Sequence, residues 1–82
     1  MPVFLGIHDF GGPLTDEDVK EKWGRYQQSC KKHGAQAWKL YYNAKEGRSW
    51  CITEAESADV VNAAHNDENL PTKELFEVQK LS

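Results

Sequence analysis

Residues 15–34, TDEDVKEKWGRYQQSCKKHG, hold the most strongly marked element of the chain. Val19, Trp23, Tyr26 and Cys30 recur at spacings of four, three and four, which traces one face of an α-helix. Thr15 is a good N-cap. Asp18 stands three residues on, where a capping box places its partner, although Asp is shorter than the preferred Glu or Gln. Asp16, Glu17 and Asp18 put negative charge in the first turn, and Lys31, Lys32 and His33 put positive charge in the last, both matched to the helix dipole. Gly34 suits the left-handed residue just past the end. The pattern predicts a long helix over residues 15–33, with Trp23 and Tyr26 in the core.

Outward from this helix the signals change to strands. Before it, Val3 to Asp9 is rich in apolar residues and ends at the turn residues Phe10-Gly11-Gly12-Pro13. After it, Ala35 to Asn43 and Ser49 to Ala55 flank the polar turn at residues 43–48 and read as a hairpin. Ser57 then caps a shorter helix to about Asn66, with Val60, Val61 and Ala64 on its apolar side. Leu75-Phe76-Glu77-Val78 starts a last strand after a polar loop. The order β-α-β-β-α-β is the ferredoxin-like, split βαβ arrangement. It predicts a four-stranded antiparallel sheet of order 4-1-3-2 with both helices on one face and right-handed crossovers. Residues 1–82 are read as one such domain.

The opposite sheet face is left open and needs a cover. With Val3, Leu5 and Ile7 assigned to the helix side, alternation sends Phe4, Gly6 and His8 to the open face. Cys51 fits under a helix and its neighbour Trp50 outside. Glu54 and Glu77 are assigned to the open face as well. A small core and exposed Phe4 and Trp50 predict a homodimer with an isologous two-fold interface.

Composition excludes several classes of function. Ten basic against thirteen acidic side chains give a formal charge of −3, and the only adjacent basic pair is Lys31-Lys32. That argues against a nucleic-acid surface, which needs a basic stripe. No stretch approaches the roughly 18 apolar residues of a membrane span. The first residues, Met1 to Ile7, carry neither the basic region nor the apolar run of a signal peptide, so a cytoplasmic location is expected. In that reducing compartment Cys30 and Cys51 are expected as free thiols.

Topology gathers chemistry at one end of the sheet. Strand one and helix two end there, and strands three and four begin there, so His8, the start of strand three up to Cys51, and His65 converge. Two imidazoles and a thiol suit a late transition metal such as nickel, copper or zinc. Each residue also has an ordinary reading: a small hydrophobe for Cys51, a dipole-complementing helix end for His65, a solvated strand end for His8. The chain lacks CxxC, HExxH and an EF-hand loop. A nucleophile–base pair of Cys51 and His65 lacks a recognisable orienting group or oxyanion feature.

Cys51-Ile52-Thr53-Glu54-Ala55, then Ser57, Ala64-His65 and the closing Glu74 to Val78, together with His8, Leu14-Thr15 and Gly34, resemble a small ferredoxin-like domain family of poorly defined function with which nickel binding is associated. The resemblance spans nearly the whole chain. It implies a dimeric metal-binding protein, for buffering of or response to nickel or a similar divalent ion, rather than a classical enzyme. Carried over by position, the metal residues are His8, Cys51 and His65. Two features depart from the pattern: Glu56 stands where members often have Pro, and Asp67, Glu68 or Asn69 where they often have a second His. The competing readings are a dimeric α+β-barrel enzyme of isomerase or monooxygenase type, with His8, Tyr41 or Tyr42, and Glu54 in an apolar cleft, and a partner-binding module without chemistry. Bound metal is expected to stabilise the fold, and to do so less as pH falls through the imidazole range near 6.5.

Overall fold

The computed structural model describes residues 1–81. The elements follow in the order β1 (Val3–Asp9), α1 (Asp16–Lys32), β2 (Gln36–Asn43), β3 (Arg48–Glu54), α2 (Ala58–Asp67) and β4 (Glu74–Val78). The sheet order is β2-β3-β1-β4 and every pairing is antiparallel. This is the ferredoxin-like arrangement that the element order predicts.

Local chemistry sets the helix ends. The Thr15 hydroxyl accepts from the Asp18 amide at 3.0 Å, and the Asp18 carboxylate accepts from the Thr15 amide at 3.3 Å, so the short Asp side chain does close the capping box. Those two bonds also hold the exposed Asp18 carboxyl below its usual range. At the other end the chain leaves α1 through His33 and Gly34, whose φ of +71° is the left-handed value a glycine adopts without penalty. Ser57 caps α2 through the Val60 amide.

The core lies between the helices and one sheet face. Phe4, Tyr26, Cys30, Cys51, Ala55, Val61, Ala64 and Leu70 form it. The Tyr26 hydroxyl meets Thr53 Oγ1 at 2.6 Å, and the Ser29 hydroxyl donates to the Ala64 carbonyl at 2.8 Å, tying α1 to the sheet and to α2.

The facing of β1 is the reverse of the sequence-based assignment. Phe4, Gly6 and His8 point under the helices, and Val3, Leu5 and Ile7 take the open face, as the alternating burial shows. The physical reason is room. Gly6 lies beneath Cys51 Sγ, the His8 ring and Leu75, and its missing side chain leaves room there for the large Phe4 and His8 rings on either side, whereas three branched residues on that face would crowd it. Cys51 lies under the helices and Trp50, opposite Ile7, lies on the open face, both as expected. Glu54, opposite Val3, shares the open face, but Glu77 pairs with Phe4 and so belongs to the helix side of the edge strand β4.

The open face therefore carries Val3, Leu5 and Ile7 on β1, Trp50 and Ile52 on β3, and Phe76 and Val78 on β4. Tyr41 extends it on β2 and is 59% exposed; Phe76 is 46% exposed. A register shift between Ala37 and Lys39 marks a bulge at Trp38 on the edge strand β2.

Candidate metal centre

Three chain segments meet at the end of the sheet where β1 stops and β3 starts. His8 is two residues beyond Gly6, and Gly6 lies directly opposite Cys51 in the β1–β3 pair. His8 and Cys51 are thus diagonal neighbours on one face, with a glycine between them. A Cβ built on Gly6 would lie 2.9 Å from Cys51 Sγ and 3.5 Å from His8 Nε2. The hydrogen side chain is what lets these two groups approach. His65 comes from the last turn of α2, on the same stripe as Val61, and points at the same sulfur.

The distances define a compact centre. His8 Nε2 lies 3.2 Å from Cys51 Sγ, and His65 Nε2 lies 3.5 Å from it. One ligand-capable atom from each of the three residues falls within 4.8 Å of the others. All three are buried, His8 to 4%, Cys51 to 2% and His65 to 1% of full exposure. The imidazole rings sit 4.7 Å apart, and Tyr26 stacks on His65 at 4.1 Å, which fixes the ring plane.

The second nitrogen of each imidazole settles the tautomers. His8 Nδ1 lies 2.9 Å from the Pro71 carbonyl and His65 Nδ1 lies 2.8 Å from the Val61 carbonyl. A carbonyl only accepts, so both Nδ1 atoms carry hydrogen and donate. In the neutral rings both Nε2 atoms are then lone-pair acceptors aimed at one sulfur. A thiol has a single proton and serves one of them, so the centre is one donor short. Burial keeps it neutral: it drives His65 down to about 4, with the His8 charge adding to the effect, lowers His8 against the Pro71 bond, and raises Cys51 to about 11.

The two sulfur–nitrogen contacts match those around a divalent ion, and the imidazole nitrogens, within 4.8 Å of each other, would draw in to about 4.1 Å or less to share it. Bonds of about 2.0–2.1 Å to nitrogen and about 2.3 Å to thiolate, at angles of roughly 90–110°, place N and S about 3.1–3.6 Å apart. The contacts of 3.2 and 3.5 Å fall in that range. Imidazoles that donate their other N–H to backbone carbonyls have the outer support that metal-binding histidines use. Two borderline nitrogens and one soft sulfur suit nickel, copper or zinc.

Above the centre a narrow cleft runs between α1, the sheet and the loop after β4's neighbour β1, lined by Phe10, Leu14, Val19, Lys22, Trp23 and Leu40 besides the three donors. It offers about 30 Å³ to the centres of water-sized molecules. Its loop wall is pinned by the Phe10 amide to the Gly47 carbonyl and the Leu14 amide to the Ala44 carbonyl, both at 2.8 Å.

The structure brings His8, Cys51 and His65 together, the three residues the sequence singled out. His8 does so from the helix side rather than the open face. His33 is separate: it pairs with Asp67 at 2.6 Å where the two helices end. Asp67 and Glu68 thus face other partners, His33 and Arg25. Sequence reasoning missed Gly6, Tyr26 and the Pro71 carbonyl. Only Gly6 had a signal, a glycine in the middle of an apolar strand, which marks a close approach. Cys30 and Cys51 are both free thiols.

No curated protein sequence matches the chain. Among solved structures, the crystal structure of SCO4226 from Streptomyces coelicolor A3(2) superposes with a TM-score of 0.89 at 18% identity, covering 98% of this chain and 99% of that one, a likeness of fold. The model of the SCO4226-like nickel-responsive protein family matches residues 4–78, and the chain belongs to that family.

Proposed function

We propose that the protein is a small metal-binding protein for buffering of, or response to, nickel or a similar divalent ion, with His8, Cys51 and His65 as its ligands. The observation that carries this reading is the convergence of two lone-pair nitrogens on one buried sulfur, with both Nδ1 hydrogens already committed to backbone carbonyls. Without an ion, two buried acceptors compete for one thiol proton, an arrangement that costs stability. With an ion, all three atoms are satisfied. The nickel-responsive character of the family favours nickel among the metals this donor set suits.

In this reading residues 1–82 act as one ferredoxin-like domain in the cytoplasm, and two copies pair through the open sheet face. The ion supplies a Lewis-acidic centre that holds the three segments together. The chain's own contribution is to orient the donors, through Tyr26 stacked on His65 and through the two carbonyls, and to keep bulk water away. Because the ligands come from β1, β3 and α2, the site is absent from the unfolded chain. Binding then adds about 2.7 kcal/mol of stability at a hundredfold excess over Kd.

Thermal melting with and without Ni²⁺ at pH 7.5 tests the assignment. Wild type shifts upward, and His8→Ala and His65→Ala each lose most of the shift. Native mass spectrometry of the untagged protein with Ni²⁺, Cu²⁺ and Zn²⁺ reads the bound ion directly. Full shifts in both variants would remove the histidines from the site.

A further inference from the structure

The charge of the centre implies a fourth ligand. A divalent ion held by one thiolate and two neutral imidazoles keeps a net charge of +1. That charge would lie at the floor of a cleft whose walls are Phe10, Leu14, Val19, Trp23 and Leu40, and no Asp or Glu lines it. A buried uncompensated charge costs several kcal/mol unless it is paired. The one charged side chain on the cleft is a second cation, Lys22, half-buried, with Nζ 5.9 Å from the Phe10 ring centroid. Among the described residues it forms no salt bridge.

The cleft also has the right room. A water molecule needs about 10–15 Å³ of such volume, and the cleft offers about 30 Å³, enough for a ligand of two or three atoms. Three protein ligands with one side left open is the pattern of metal centres that exchange an outside ligand, whereas structural centres are closed by four. The side left open faces the cleft, since β1, β3 and α2 occupy the others.

We propose that the centre binds a small monoanion of two or three atoms as its exchangeable fourth ligand, admitted through the apolar cleft and attracted by Lys22. This rests on the metal reading above. The anion neutralises the residual charge, which a neutral ligand of the same shape does not, so the site selects by charge.

Cobalt(II) loading separates this proposal from the reading it rests on. A sulfur-to-cobalt charge-transfer band reports that the ion sits on Cys51, and the weaker visible bands report its other ligands. Azide is the probe, and acetonitrile is its neutral comparator, also linear with three heavy atoms. Azide changes the visible bands saturably while acetonitrile at the same concentration does not. Lys22→Met weakens azide about three- to fivefold, the size of one partly exposed charge. Lys45→Met, in the exposed turn after β2, titrates as wild type. Leu14→Trp fills the cleft and abolishes the azide response, with the charge-transfer band in the same sample confirming the ion. A cobalt-loaded protein whose bands ignore azide, or answer acetonitrile equally, overturns the proposal and leaves the metal reading standing. Absence of the charge-transfer band in wild type overturns both. Wild-type azide titrations in Leu14→Trp and Lys22→Met together overturn the cleft as the route.

Discussion

At the scale of single residues, the centre depends on an atom that is missing. Gly6 has no Cβ, and one placed there would meet Cys51 Sγ at 2.9 Å. Gly6→Ala forces the sulfur or the His8 ring aside, at a cost of about 1–3 kcal/mol in stability and about tenfold or more in metal affinity, as for outer supports of metal ligands. Calorimetric Ni²⁺ titration beside urea unfolding checks both. His65 makes a prediction for the metal-free protein. Its folded value of about 4 lies below the ordinary 6.5, so the unfolded chain takes up the proton first. Stability is unaffected above about pH 6.5 and falls between there and about 4, by on the order of 3 kcal/mol for a shift of this size. Urea unfolding at pH 7 and pH 4.5 should show the loss in wild type and a smaller one in His65→Gln. Burial also revises the pH range for metal binding. Burial holds both imidazoles below their ordinary value, His65 at about 4, so competition by their protons sets in lower, whereas the Cys51 thiol, raised to about 11, must release its proton on binding at any physiological pH. Calorimetry in buffers of different ionisation enthalpy would count about one proton released per ion at pH 7.5.

At the scale of elements, the two helices do different work. Helix α1 is set by its own ends. Thr15→Ala removes half of the capping box and costs about 0.5–2 kcal/mol, measurable by thermal unfolding. Thr15 touches none of the donors, so the Ni²⁺-induced shift remains. A lost shift would mean that the centre depends on the entry to α1. Helix α2 delivers His65, and the loop behind it returns the Pro71 carbonyl to His8. That return is held by the Leu70 amide to the His65 carbonyl at 3.0 Å and the Lys73 amide to the Ile7 carbonyl at 2.7 Å. This connection thus positions the His8 imidazole and ties down the backbone at His65, which is why a loop with no ligand of its own belongs to the centre.

At the scale of the whole molecule, the unpaired sheet face is an extended apolar surface open to water. Val3, Leu5, Ile7, Trp50, Ile52, Phe76 and Val78 present a continuous apolar face on three strands. A molecule measuring 33 × 28 × 19 Å has a broad side wide enough for the roughly 800 Å² per partner of a standard interface. Pairing of this face would bury Leu5 and Ile52 at its middle and Trp50, a large aromatic of the kind that carries interface energy, toward one end. Sedimentation at micromolar concentration should give a dimer for wild type and a 9.4 kDa species for Ile52→Asp, which places an unpaired charge in the buried patch. A wild-type monomer would rule the pairing out. Ile52 faces away from the centre, so the variant keeps its metal-induced shift.

The sequence by itself determined the elements, because caps, periodicity and turn residues act over a few neighbours. Thr15, Asp18, Ser57 and Gly34 mark helix ends wherever the helices later pack. It also determined which three residues meet, since a βαββαβ order sends the end of β1, the start of β3 and the end of α2 to one edge. Only the tertiary structure decided which way β1 faces. Val3, Leu5 and Ile7 are uniformly apolar while Phe4, Gly6 and His8 are not, so period-two patterning points to the wrong face. What decides the facing is the room that Gly6 leaves beside the Cys51 sulfur and the fit of His8 between Cys51 and Pro71. The same holds for the lone pairs. A histidine's tautomer depends on what its other nitrogen meets, and Pro71 lies 63 residues from His8 along the chain. That contact exists only once the sheet has formed.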